Sequence, residues 1–160
     1  MSRSHAWIRR GEVSINRRPM NWGKHSLTMV GAIRRNGWIT MSTMVGAANR
    51  DRFTDWIRRR LAPKLRPGDI VILDNAAPHH DARVISLVEA RGGRVEYLPP
   101  YSPDLNPIES AWAIAKKHIR AVAPRDPRSL RKAAHAGRRR VRPRHCEAWF
   151  GHAGYRRRLN

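Results

Sequence analysis

Two acidic residues, Asp74 and Glu109, occupy positions at which an α/β fold could bring their carboxylates together. Asp74 directly follows the apolar run Ile70–Leu73, which is typical of a strand buried on both faces, and ligands of open α/β sheets bind at the carboxyl ends of strands. Glu109 ends the sequence Asn-Pro-Ile-Glu, which predicts the start of a helix. The 34 residues between the two acids hold one predicted helix and one predicted strand, enough to leave the sheet and return beside the first strand. The spacing therefore predicts that both carboxylates lie at one edge of a sheet.

Each of these acids also has a purely structural interpretation. Asp74 followed by Asn75 is typical of an Asx turn that leaves a strand, and Asn106 with Glu109 is typical of a capping box. Their convergence favours chemistry, because two carboxylates in one place are costly unless a cation lies between them. Oxygen ligands without a cysteine or a histidine pair favour Mg²⁺ or Mn²⁺ over zinc. Two such ions, about 4 Å apart, would suit displacement at a phosphodiester.

The elements that must position the two acids follow from apolar periodicity and turn residues. Their order is a hairpin, a helix, a strand, a helix, a strand and two helices, which is a mixed α/β pattern. The predicted elements are strands at 26–33 and 38–45 about an Asn36-Gly37 turn, a helix at 53–61 capped by Asn49, a strand at 70–73, a helix at 84–88, a strand at 95–98, a helix from 107 towards Arg120, and a basic helix from Asp126-Pro127 to near Val141.

Positive charge is the strongest compositional feature. The chain has 33 Lys and Arg against 12 Asp and Glu, a formal net charge of +21, and fifteen basic against two acidic residues lie from position 116 to the C-terminus. A field of this size attracts polyanions, so we predict binding to DNA. A merely solvated basic face is the alternative. The candidate DNA-binding residues are Lys116, Lys117, Arg120, Arg138, Arg139 and Arg140.

Length and composition limit the remaining classes. A chain of 160 residues suits one domain with a hydrophobic core, and we divide it into a catalytic domain at 1–122 and a basic helical tail of the same domain at 123–160. The chain contains no apolar run long enough for a membrane span, and its N-terminus does not resemble a secretory signal. The single cysteine, Cys146, has no partner for a disulfide or a cysteine-rich zinc site. These features predict a cytoplasmic protein without a membrane partner.

Two segments identify a family resemblance. The sequences Asp-Asn-Ala-Ala-Pro-His at 74–79 and Leu-Pro-Pro-Tyr-Ser-Pro-Asp-Leu-Asn-Pro-Ile-Glu at 98–109 closely resemble the mariner-like branch of bacterial insertion-sequence transposases, which carry a DDE catalytic triad. The resemblance extends to residues 1–12 and to Cys146–Tyr155, and so spans nearly the whole chain.

The resemblance implies an RNase H-like mixed sheet flanked by helices. It also implies a nuclease dependent on two Mg²⁺ or Mn²⁺ ions, which cuts transposon ends and joins them to target DNA. Asp74 then matches the second and Glu109 the third metal-binding carboxylate, and Asn75, His79 and Asn106 would support the site. For His79, capping of the following helix is an alternative. A homodimer is left open, and a bacterial, nucleoid-associated location is implied.

The first carboxylate of the triad is not identified in this sequence. The acids before Asp74 are Glu12, Asp51, Asp55 and Asp69, and none follows a predicted first strand. We therefore predict that the first, central strand and its Asp are missing and that the 160-residue chain is inactive alone. A non-catalytic DNA-binding remnant of a decayed insertion sequence is the alternative. A different RNase H-like nuclease is disfavoured by the Pro-Tyr-Ser-Pro-Asp-Leu-Asn-Pro string.

Overall fold

The structure is a computed structural model that describes residues 27–155. The segment 1–12 and its Glu12, which entered the sequence predictions, lie outside the described residues. The regular elements are β1 Leu27–Arg34, β2 Gly37–Val45, α1 Arg50–Trp56, β3 Ile70–Leu73, α2 Ala82–Glu89, β4 Arg94–Tyr97, α3 Pro107–Val122, α4 Pro127–Arg139 and α5 Pro143–His152. Short helical turns at Ile57–Leu61, Ala62–Lys64, Ala77–His79 and Pro103–Leu105 connect them.

The predicted hairpin is confirmed, but its turn lies one residue earlier than expected. β1 and β2 pair in antiparallel fashion from Leu27 opposite Val45 to Arg34 opposite Gly37. The two turn residues are Arg35 and Asn36, while Gly37 opens β2 with a φ of 127°. A register shift between Ala32 and Ile33 moves the strand pairing by one position. The preference of Asn-Gly for the two turn positions of a regular hairpin does not predict such a shift.

β3 and β4 form the second strand pair, which is parallel and joined by the crossover helix α2. Their register places Ile70 opposite Arg94 and Leu73 opposite Tyr97. Both predicted strands are confirmed, but the expected burial of β3 on both faces is wrong: Ile70 is 44% exposed and the other three residues are half-buried. Within the described residues β3 has only β4 as a neighbour, and its other edge borders a cleft.

Helices cover the strands on two sides. Asn49 caps α1 as predicted, with its side-chain oxygen accepting from the Arg52 N–H at 2.9 Å. Phe53 and Ile57 pack on this side with Val30 of β1. On the other side, Trp112 of α3 lies 5.1 Å from Trp38 of β2 between ring centroids, so the expected packing of Trp112 against the sheet is confirmed.

The C-terminal helices pack on the rest of the domain. The basic helix predicted from Asp126-Pro127 to near Val141 is confirmed as α4, which Asp126 caps and which ends at Arg139. The sequence reasoning did not predict α5, which begins at Pro143. Cys146 of α5 is fully buried in a cluster with Ala111 of α3 and with Val141. Burial raises the pKa of the Cys146 thiol, as expected for a cysteine that packs as a small apolar residue.

The closest approach of α3 and α4 depends on Gly137. A Cβ at this position would lie 2.9 Å from the Ala115 backbone oxygen and 3.0 Å from its Cα. We therefore expect Gly137→Ala to lower the midpoint of urea unfolding, although alanine is intrinsically the better helix former by about 1 kcal/mol. Gly151→Ala in α5 is the matched control, because a Cβ there meets nothing within 4 Å. An equal or higher midpoint for Gly137→Ala than for Gly151→Ala would contradict this packing.

Candidate active site

A cleft of about 1240 Å³ runs between the two strand pairs and contains the predicted site residues. Asp74, His79, Asn106 and Glu109 all line it, at the carboxyl end of β3 and the start of α3. The sequence therefore placed these four side chains in one region correctly. Asn75 lies on the same loop but contacts the neighbouring strand end instead.

Asp74 has one occupied and one free carboxylate oxygen. Its Oδ1 accepts from the Ala76 N–H at 3.1 Å and lies 2.6 Å from Nδ1 of His79. The Asx turn considered as an alternative is therefore present, but it uses only this oxygen. Oδ2 has no hydrogen-bond or ion-pair partner among the described residues, and the side chain is 47% exposed. Asp74 can consequently keep its turn and still offer an oxygen to a ligand.

His79 is held so that one ring nitrogen faces Asp74. Nδ1 lies near both the carboxylate and the backbone oxygen of Asp74, at 2.6 and 3.2 Å. Because both neighbours are acceptors, Nδ1 carries the proton and donates it. Phe53 packs against the ring at a centroid distance of 4.3 Å, and the Tyr97 hydroxyl donates to the His79 backbone oxygen at 2.9 Å. These contacts favour support of Asp74 over capping of α2, whose cap is Asp81.

Asn75 ties the Asp74 loop to the end of β4. Its Nδ2 donates to the Leu98 backbone oxygen at 2.5 Å, and the Leu98 N–H donates to the Leu73 oxygen at 2.9 Å. The two bonds fix the first residue after β3 relative to the loop that leads to α3. Asn75 thus connects the loop after β3 to the end of β4, and its support of a metal site stays a prediction.

Glu109 lies in the first turn of α3 and its carboxylate has no partner among the described residues. The alternative that it forms a capping box with Asn106 is wrong, because the Asn106 side chain makes no cap bond. The two residues are joined by a backbone bond, in which the Glu109 N–H donates to the Asn106 backbone oxygen at 3.1 Å. A carboxylate that serves no structural bond is available for a ligand.

Asp74 and Glu109 are suitable ligands for a hard divalent cation, since both offer exposed carboxylate oxygens to one cleft. Within residues 27–155, however, there is no group of three or more His, Cys, Asp or Glu that could hold a metal ion. Four described acids line the cleft: the predicted ligands Asp74 and Glu109, Asp69, which pairs with Arg34, and Glu147.

The predicted DNA-binding residues lie on two packed helices. Lys116, Lys117 and Arg120 belong to α3, and Arg138 and Arg139 end α4, with Arg140 directly after them. Lys117, Arg120, Arg139 and Arg140 are exposed, and Lys116 and Arg138 are half-buried. Because Gly137 meets Ala115 at the helix crossing, Lys116 and Arg138 each follow a contact residue. Both residues therefore lie next to the contact between α3 and α4, and DNA binding by them stays a prediction.

Sequence reasoning missed the cluster that fixes the loop after His79. Buried Asp81 caps α2 and accepts several hydrogen bonds from Arg83, which also pairs with Asp51 of α1 at 2.6 Å. The Thr54 hydroxyl donates to Asp81 at 3.3 Å. The hydrogen bonds from Arg83 hold the pKa of the Asp81 carboxyl well below its usual range. An Asp before an Ala-Arg helix start was the available sequence signal.

Comparison with known proteins places these features in a family. The sequence profile of the family described as DDE superfamily endonuclease matches residues 1–131. The fold matches a Mos1 transposase paired-end complex with left transposon end (TM-score 0.66, 20% identity, 97% of this chain and 48% of that chain). It also matches the catalytic domain of Mos1 mariner transposase (TM-score 0.58, 17% identity, 79% and 74%) and that domain with Raltegravir and Mg (TM-score 0.56, 17% identity, 79% and 75%).

The chain spans about half the length of the transposase chains in the Mos1 complexes that it matches. No curated protein sequence matches it. At these identities the structural matches establish the fold, which is RNase H-like as the sequence predicted. In the described residues, no helix is both long and apolar enough to cross a membrane.

The Asp81 cluster gives a testable pH dependence. The folded-state pKa of Asp81 lies below its ordinary value of 3.8, so the ionised carboxylate stabilises the fold above that pH, and this contribution is lost as the pH falls below it. We expect Asp81→Asn to lower the urea midpoint near pH 7 and the difference from the unsubstituted chain to shrink below about pH 4. Asp104→Asn, at an exposed side chain without a partner among the described residues, is the control and should change neither value. A pH-independent effect of Asp81→Asn would exclude the ionic contribution.

Proposed function

Because the chain belongs to the DDE superfamily of endonucleases, we propose that it is the catalytic part of a DNA transposase. The observation that carries the proposal is the pair of Asp74 and Glu109, whose carboxylates line one cleft and serve no competing structural bond at Asp74 Oδ2 or at Glu109. In this proposal the reaction is cleavage of transposon ends and strand transfer to target DNA.

The donor set fits Mg²⁺ or Mn²⁺. Asp74 Oδ2 and the Glu109 carboxylate would hold the ion, and the Mg-bound Mos1 domain is consistent with this assignment. The chemistry that a divalent ion supplies at such a site is stabilisation of charge on the attacking and leaving oxygens of a phosphodiester. A two-ion site needs more ligands than these two side chains, so the proposal assigns only two of its carboxylates.

The other residues of the site act through position. His79 donates to Asp74 and so keeps Oδ1 engaged, which leaves Oδ2 for a ligand. Asn75 fixes the same loop to Leu98. Leu98 directly precedes the Pro-rich segment at 99–107, which leads to Glu109. Asn106 begins α3 and places Glu109 in its first turn. These contacts fix the loop after β3 and the start of α3, which carry the two carboxylates.

DNA is the proposed partner, with the basic residues of α3 and α4 as contacts to phosphate. A positive field around the acidic site would draw the DNA backbone to the cleft and offset the repulsion between phosphates and carboxylates. The origin in a bacterial insertion sequence and the nucleoid-associated cytoplasmic location belong to the same proposal.

A non-catalytic DNA-binding remnant is the second candidate. Two observations favour it: within the described residues the strands form two separate pairs, and no group of three or more His, Cys, Asp or Glu there could hold a metal ion. The remnant would bind DNA through the same basic helices and would not need the metal site. The two candidates therefore differ in the behaviour of Asp74 and Glu109.

The metal site can be tested by titrating Mn²⁺ into the chain and following the free ion by electron paramagnetic resonance. We expect weak, saturable binding that Asp74→Asn and Glu109→Gln each reduce by about tenfold or more, because each removes a charged ligand. Asp104→Asn is the control: it removes an exposed carboxylate from the Pro-rich segment and should leave Mn²⁺ binding unchanged.

Equal Mn²⁺ binding by all four proteins would refute the metal site and favour the remnant. In parallel, we expect no nicking of supercoiled plasmid above the level of Asp74→Ala, since two carboxylates hold two ions poorly. Nicking by the unsubstituted chain that Asp74→Ala abolishes would show that the expected inactivity is wrong.

The DNA interface can be tested with two arginine triplets of equal charge. Replacing Arg138, Arg139 and Arg140 by Gln should lower the slope of log affinity against log salt by about 0.9 for each phosphate contact that is lost. The control replaces Arg58, Arg59 and Arg60, which lie after α1 in the Ile57–Leu61 turn and are exposed. The measurement is fluorescence anisotropy of a labelled duplex at several salt concentrations. Equal slopes for both triple variants would indicate a general charge effect and not an interface on α4.

A further inference from the structure

The start of α3, which carries Glu109, has no side-chain cap. The Asn106 side chain makes no cap bond, although a residue at this position usually closes the end of its helix. The N–H groups of Leu105, Asn106 and Glu109 each donate to a backbone oxygen three residues earlier. Such bonds lie within one short segment, so they do not fix it relative to other elements. The place of Glu109 in the domain therefore depends on contacts from elsewhere in the fold.

Tyr155, in the segment after α5, makes such a contact. Its hydroxyl donates to the Leu105 backbone oxygen at 2.8 Å, across 50 positions of the chain. Leu105 directly precedes Asn106, at which α3 begins, and only three residues separate Leu105 from Glu109. The bond is thus made beside the first turn of the helix.

Tyr155 is itself held by two other elements. Its backbone N–H donates to the Phe150 oxygen at 2.9 Å, near the end of α5, and the two rings lie 5.9 Å apart between centroids. Its backbone oxygen accepts from Nη1 of Arg35, in the turn between β1 and β2, at 3.1 Å. The hydroxyl therefore fixes the start of α3 relative to α5 and to the hairpin.

The surroundings of the Tyr155 hydroxyl keep it a donor. Burial raises the pKa of the Tyr155 phenol, and the Glu96 carboxylate raises it further. Only the protonated phenol can donate a hydrogen bond. The bond to Leu105 is therefore available at neutral pH and above it.

We propose that Tyr155 is a positioning residue of the site, which holds the start of α3 through the Leu105 oxygen and so keeps Glu109 at the cleft. Tyr155 and Glu109 line this same cleft. Asn75 fixes the chain at Leu98, just before the Pro-rich segment, and Tyr155 fixes it at Leu105, near the end of that segment. The role of Glu109 as a metal ligand rests on the proposed function, whereas the attachment of α3 to Tyr155 does not.

The attachment is tested by Tyr155→Phe, which removes the hydroxyl and keeps the ring beside Phe150. Amide hydrogen exchange is measured by mass spectrometry on the full 160-residue chain. We expect exchange at 105–109 to become roughly threefold faster, because one neutral hydrogen bond is lost, and exchange in α1 to stay unchanged.

Tyr101→Phe is the matched control for this substitution. Tyr101 lies in the same Pro-rich segment, is fully exposed, and its hydroxyl has no partner among the described residues. Its replacement should leave exchange unchanged. Unchanged exchange at 105–109 in Tyr155→Phe, an equal change in Tyr101→Phe, or faster exchange throughout the domain would each overturn the proposal.

The consequence for Glu109 is tested by Mn²⁺ binding in two backgrounds. We expect Tyr155→Phe to weaken Mn²⁺ binding by the unsubstituted chain roughly threefold and to have no effect in Glu109→Gln, because it acts through this carboxylate. Unchanged binding in the first background, or equal weakening in both, would overturn the proposal. If the unsubstituted chain binds no Mn²⁺, the proposed metal site fails, and the exchange experiment decides whether Tyr155 holds α3.

Discussion

Parallel pairing of β3 with β4 is the interaction on which the site depends. The pairing ends where the Leu98 N–H donates to the Leu73 oxygen, and the next residue along β3 is Asp74. Asn75 then bonds the Leu98 oxygen, so the loop after one strand is attached to the exit of the other. The chain after β4 runs through the Pro-rich segment to α3. The pairing of β3 with β4 therefore also sets the position of Glu109. Both acids are thus located by backbone hydrogen bonds rather than by contacts between their side chains.

The acidic residues differ in whether a basic side chain pairs with them. Asp81 and Asp51 are engaged by Arg83, and Asp69 is engaged by Arg34, so these acids contribute to packing between elements. Glu109 and one oxygen of Asp74 have no such basic partner within the described residues, although the chain has a net charge of +21. Asp104 also has no basic partner among the described residues, so it is their position in the lining of the cleft that distinguishes Asp74 and Glu109 from it.

Within the described residues the four strands form two separate pairs and not one continuous sheet. Val30 of β1 packs in the core under α1, whereas Ile33 packs in the core under α3 and α5, so each face of the hairpin is anchored separately. β3 contributes Val71 and Leu73 to the first of these cores. The core under α1 therefore contains residues of both strand pairs, whereas the core under α3 and α5 contains residues of the hairpin only.

The sequence by itself determined the element types and the two acids, because these depend on local signals: apolar runs for β3 and β4, the Asn49 cap, and the Pro107 helix start beside Glu109. Only the tertiary structure decided the turn of the hairpin, the exposure of Ile70 and the free state of Glu109. The turn depends on a register shift across two strands, the exposure of Ile70 on what packs around the start of β3, and the free state of Glu109 on a cap bond that does not form. Local patterns specify which residues can form a bond, whereas only the packed chain specifies which partners are within reach.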